Sequence, residues 1–94
     1  MRPEHYPVVG IFRNDTADEL RLFLEMVPSE VVLSPGHSVA LMAKPTENLL
    51  PLTIDIVKGG LQIHPHKEFD PDWHVRFNGL VIRAECPTML GEYE

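Results

Sequence analysis

Much of what usually announces a function is missing from this chain. It carries one cysteine, Cys86, so no intramolecular disulfide can brace it and a reducing compartment is permitted. No apolar run approaches the roughly 18 residues that a membrane helix requires. The first seven residues, Met-Arg-Pro-Glu-His-Tyr-Pro, lack the apolar stretch of a signal peptide. Together these point to a cytoplasmic protein with no membrane partner. Basic residues are scarce: eight Lys and Arg stand against fourteen Asp and Glu, for a net charge of −6. A phosphate backbone or an anionic lipid surface calls for a basic stripe, so nucleic acid is not expected as a partner either. Ser29, Ser34 and Ser38 lack a G-x-S-x-G setting, and no glycine loop of the phosphate-cradling kind is present. On these grounds no enzymatic activity is expected. Long helices are disfavoured too, because nine prolines punctuate the chain from Pro3 to Pro87 and each costs about 3 kcal/mol inside a helix.

What is present reads as strands. Residues 73–84 form the most legible stretch. Asn78-Gly79 lies between two alternating apolar runs, the strongest short-range signal for a hairpin with a type I′ turn. That turn sets Phe77 opposite Leu80, Val75 opposite Ile82 and Trp73 opposite Ala84, all on one side. His74, Arg76, Val81 and Arg83 take the other side. Trp73 is therefore placed in the core with Val75 and Phe77.

The remaining segments follow the same period. Pro7 opens an edge strand over 8–13, and Asn14-Asp15-Thr16-Ala17-Asp18 is a turn whose side chains bond nearby backbone. In 19–26, Leu20, Leu22, Leu24 and Met26 alternate with Arg21, Phe23 and Glu25, which favours a strand over a short capped helix. Residues 31–33 make a short strand. Ser34-Pro35-Gly36-His37 reads as a type II turn, and 38–43 resume with Val39, Leu41 and Ala43 on one face. After the polar 44–48 comes a strand over 49–57, with Leu52, Ile54 and Ile56 facing one way. It returns over 61–64 through either Lys58-Gly59 or Gly59-Gly60; the apolar pattern accepts both. Residues 1–5 and 88–94 read as tails, the latter with Met89, Leu90 and Tyr93 available to pack. The sum is one all-β domain over 1–94. Its seven or eight short strands would form a small antiparallel sandwich, or else a barrel.

Residues 64–74 hold three histidines and three of the chain's aspartates and glutamates beside two prolines. His64, His66 and His74 are candidate ligands for Zn²⁺, Ni²⁺ or Cu²⁺ if their strands come together. The competing reading is a solvated loop stiffened by proline. Asp70 and Asp72 could do acid–base work only if their surroundings separated their pKa values. His37, Cys86 and Met89 follow the ligand order of small copper sandwiches, but no second imidazole lies near Cys86 in sequence. Cys86 is therefore read as a small buried hydrophobe. Phe23 and Val81 fall on the outer faces of their strands and are candidate interaction residues, together with any unpaired strand edge.

The runs Phe12-Arg13-Asn14-Asp15-Thr16, Leu20-Arg21-Leu22-Phe23-Leu24-Glu25, Leu33-Ser34-Pro35-Gly36 and Val75-Arg76-Phe77-Asn78-Gly79 resemble those of a group of small uncharacterised bacterial all-β proteins. The resemblance lies in turn chemistry. It implies the fold and a bacterial origin, and it carries over no activity and no site residue. The function expected is that of a binding or accessory module, self-associating or with a protein partner. A metal-binding sandwich and a small enzyme are the alternatives.

Overall fold

A computed structural model describes residues 1–94. Local turn chemistry sets its hairpins. Asn78 and Gly79 both adopt positive φ, 50° and 78°, and join β7 (His74–Phe77) to β8 (Leu80–Arg83) in the register expected from the sequence, with Phe77 against Leu80 and Val75 against Ile82. Gly36 at φ 81° completes the Pro-Gly turn, where His37 N donates to Ser34 O at 3.3 Å. That turn joins β3 (Ser29–Leu33) to β4 (Ser38–Met42). Between β5 (Thr53–Val57) and β6 (Gly60–His64), the structure selects Lys58-Gly59 as the loop. Gly59 has φ 85°, and Val57 pairs with Gly60.

The strands form two sheets. The four-stranded sheet runs β1 (Val8–Arg13), β4, β7, β8, and every pair in it is antiparallel. The five-stranded sheet runs β5, β6, β2 (Leu20–Leu24), β3, β9 (Thr88–Met89). Residues 19–26 are thus a strand at their centre. The sheets are sandwich-like, as expected, but the expectation of purely antiparallel pairing is corrected. β2 runs parallel to β6, and β3 parallel to β9. The ninth strand comes from the supposed C-terminal tail, where Thr88 and Leu90 are buried. At the other end, Pro3–His5 is one 3₁₀ turn with no buried residue.

Between the sheets, Leu22, Leu24, Val31, Leu33, Val39, Leu41, Ile63, Trp73, Val75 and Phe77 share one apolar core. Alternation along each strand delivers them to one side. Asn14 ties two turns together at the edge of this core. Fully buried, it donates from Nδ2 to Asp18 O and Leu33 O, and its Oδ1 accepts from Thr16 N and Thr16 Oγ1. Its own backbone bonds His37 O and Gly36 N. Such complete pairing is what burial of an amide side chain demands.

A second, smaller packing lies on the outer face of the four-stranded sheet. Tyr6 covers His74 edge-on, with ring centroids 5.5 Å apart, and Tyr6 Oη donates to Asp72 Oδ2 at 2.6 Å. His74 is only 7 % exposed, although its place in the strand turns it away from the core. No helix is long and apolar enough to cross a membrane.

Candidate functional site

The segment from His64 to His74 spans the two sheets, with His64 ending β6 in one and His74 opening β7 in the other. The structure does not gather its three imidazoles. His64 Nε2 faces Asp55 Oδ2 across the β5–β6 ladder at 3.5 Å. His66 is exposed on the loop. His74 Nδ1 lies 2.8 Å from Asp72 O beneath Tyr6. No three His, Cys, Asp or Glu side chains are grouped so as to hold a metal ion. Sheet pairing thus gives His64, His66 and His74 three different surroundings rather than one shared site.

The copper-like set is dispersed as well. His37 Nε2 reaches Glu94 Oε1 at 2.8 Å, and its ring leans on Phe77. Cys86 is exposed rather than buried, on the loop that leads to β9. Phe23 and Val81 are both half-buried. Phe23 lies between buried Leu22 and Leu24 on the outer face of the five-stranded sheet. Val81 takes the outer face of the four-stranded one. The two outer faces look in opposite directions, so these residues do not share a patch.

The loop forms something else instead. It is laced to residues 44–49: His66 N donates to Leu49 O, Lys67 N to Asn48 O, and Lys44 N to Pro71 O, at 2.7–2.9 Å. Thr46 Oγ1 donates to Glu68 Oε2 at 2.7 Å, and Asp70 N bonds the other carboxylate oxygen. The Thr46 hydroxyl, with help from the Asp70 N–H, holds the Glu68 carboxyl below its ordinary pKa. Pro65 and Pro71 are buried at the two ends. This lacing presents Phe69 to solvent at 77 % exposure and sets it across from Met26, which is 49 % exposed in the β2–β3 turn. Met26, Pro65 and Phe69, with His66, Lys67 and Glu68, line a cleft of about 370 Å³.

Met26 and Phe69 give the cleft its apolar lining, and Lys67 and Glu68 its charges. Glu68 is already engaged by Thr46 and Asp70, while Lys67 makes no ion pair. Reasoning from the sequence passed over Phe69, because polar neighbours hid it, and treated Met26 as a strand residue. The available signal was a lone aromatic in a proline-flanked polar loop. Alternation placed Ile54 and Ile56 on the apolar face of their strand, and they do lie on the core-facing side of β5, yet they are 47 % and 89 % exposed. Trp73, by contrast, lies where expected, buried with its Nε1 donating to Glu25 O at 2.6 Å. Compared with known protein families, curated proteins and solved structures, the chain matches none.

Proposed function

We propose that this chain acts by binding rather than by catalysis, and that the cleft between Met26 and Phe69 receives an apolar side chain of a partner protein presented beside a carboxylate. The observation that carries this reading is an exposed phenyl ring on a loop tied down by backbone and side-chain hydrogen bonds. Leaving such a ring in water forgoes about 2 kcal/mol of burial. A ring carried on a tied loop is also better prepared for a ligand, since less backbone freedom is lost on binding. Lys67 supplies the free cation for the carboxylate, and Glu68 is turned into the loop. The histidines support the reading indirectly. His37, His64 and His74 are each engaged by a carboxylate or a backbone oxygen. The exposed thiol of Cys86 fits a reducing compartment such as the cytoplasm.

The test is an NMR titration with N-acetyl-phenylalanine carboxylate and with its amide as the control. Millimolar affinity is expected of so small a probe. Shift changes should concentrate on Met26, His66, Lys67 and Phe69, weaken with the amide and with Lys67→Glu, and vanish in Phe69→Ala. No change, or changes scattered over both sheets, would refute the assignment.

A further inference from the structure

Each sheet has two edges, and three of the four are guarded. β1 follows Pro7, and its register shifts between Val8 and Gly10. β8 is flanked by the C-terminal segment, which returns to the hairpin tip, where Asn78 Nδ2 donates to Tyr93 O at 3.1 Å. β9 has only two residues and runs into a 3₁₀ turn. Short edges, bulges, prolines and covering segments are the usual defences against unwanted pairing. β5 has none of these, and its one defence is the charge of Asp55. Its five residues make an unbroken ladder with β6 and contain no proline. The two-residue loop is closed by the Val57–Gly60 pair. The amides and carbonyls of Thr53, Asp55 and Val57 therefore point to β6, and those of Ile54 and Ile56 point outward.

The same strand overhangs. Ile54 pairs with Ile63 and Ile56 with Leu61, on the side of the sheet that forms the core. Ile63 is fully buried while Ile56 is 89 % exposed, because the opposing sheet is one strand narrower and stops short of β5.

We propose that β5 pairs antiparallel with β5 of a second copy of this chain, about a two-fold axis through Ile56. Local charge complementarity favours a second copy as the occupant and disfavours one register. A register that sets Ile54 opposite Ile56 would bring the two Asp55 carboxylates face to face, and directly opposed like charges disfavour pairing. Centring on Ile56 instead sets each Asp55 opposite the other copy's Val57, next in sequence to its Lys58, so each carboxylate gains a nearby cation rather than a second carboxylate. The five-stranded sheets then join into one, with the isoleucines of both copies in contact under the gap between the narrower sheets. The net charge of −6 repels copies at long range, but that repulsion is screened within about 8 Å at physiological ionic strength. This inference deepens the binding-module reading without using the cleft. A mass measurement and the cleft titration therefore fail independently.

A single strand edge covers less than the roughly 800 Å² per partner of standard interfaces, so the dimer is expected to be weak. Sedimentation equilibrium of the full chain should show the mass rising from 10.7 kDa toward twice that value between about 10 µM and about 1 mM. The exposed substitution Ile56→Lys should abolish the rise while leaving the thermal melt unchanged. Lys58→Glu should weaken it several-fold, and Asp55→Lys added to Lys58→Glu should restore it. In a Cys86→Ser background, Ile56→Cys should cross-link on oxidation, because directly opposed residues lie about 5.5 Å apart at Cα. Ile54→Cys should not, since its two copies would be roughly 13 Å apart. A constant monomer mass up to 1 mM, a dimer indifferent to Ile56→Lys, or cross-linking at residue 54 instead of 56 would overturn the proposal.

Discussion

The two glycine-turned hairpins follow one rule of sequence and meet opposite fates. In β7–β8, the core-facing Val75 and Phe77 are sealed by the opposite sheet. His74, which faces away from the core, is buried as well, beneath Tyr6. In β5–β6, the core-facing Ile56 stands almost wholly in solvent. Alternation decides which side of a sheet a residue occupies. Whether that side is covered depends on how many strands the other layer has and where the chain ends fall. An exposed isoleucine on an inward face therefore marks a sheet that is wider than its cover.

The sharpest way to break this contrast is at the attachment of β6. A Cβ on Gly60 would sit 1.9 Å from Arg21 O, so Gly60→Ala must force β6 off β2. We expect a loss of about 5 kcal/mol, at the extreme for single substitutions. Gly59, one residue earlier, has open space around it and needs only its positive φ. Gly59→Ala should cost about 1–3 kcal/mol of strain. Urea unfolding separates the two, and equal losses would mean that β6 is not held against β2 in this register.

Next come matched truncations in the two hairpins. Phe77→Ala removes a fully packed ring and should cost about 3–5 kcal/mol. Ile56→Ala, on the same nominal face of its own hairpin, should change the monomer's stability by no more than about 0.5 kcal/mol. Asn14→Ala falls between them. It strips two donors and a shared acceptor from a buried site and leaves Leu33 O without the Asn14 donor. About 2–3 kcal/mol is expected, read from the urea midpoint at unchanged slope.

The divide between what could be read and what could not follows the range of the interactions. Asn78-Gly79 and Pro35-Gly36 specify their turns from the φ values that adjacent residues tolerate, so the hairpin register and the inward placement of Trp73 were legible. The parallel pairs β2–β6 and β3–β9 join segments far apart in the chain and carry no local mark. The same holds for the burial of His74, which depends on Tyr6 from the other end of the chain. It holds also for the outward position of Cys86, despite a thiol's preference for the interior. In the histidine loop, composition can list candidate ligands, while strand pairing decides where each one lies. Phe69 went unnoticed because alternation says nothing about a residue outside a strand.

The smallest effect tests the cover over β7 itself. Tyr6 titrates above its ordinary value of 10.0, first because its hydroxyl donates to Asp72, then through burial and the nearby charges of Asp72 and Asp70. The folded chain therefore holds the phenol proton more tightly than the unfolded chain does. That contribution to stability is fully present below pH 10 and is lost as pH rises through the folded pKa. Ultraviolet titration should resolve Tyr6 as a phenol ionising later than a free tyrosine, and Asp72→Asn should bring it back toward 10. Tyr6→Phe keeps the ring over His74 and loses only the hydroxyl, so His74 should stay shielded. Tyr6→Ala should open the imidazole to solvent, visible as faster exchange of the neighbouring Val75 amide. If the Phe variant loosened β7 as much as the Ala variant, the bond to Asp72 rather than the ring would be what keeps this outward face closed.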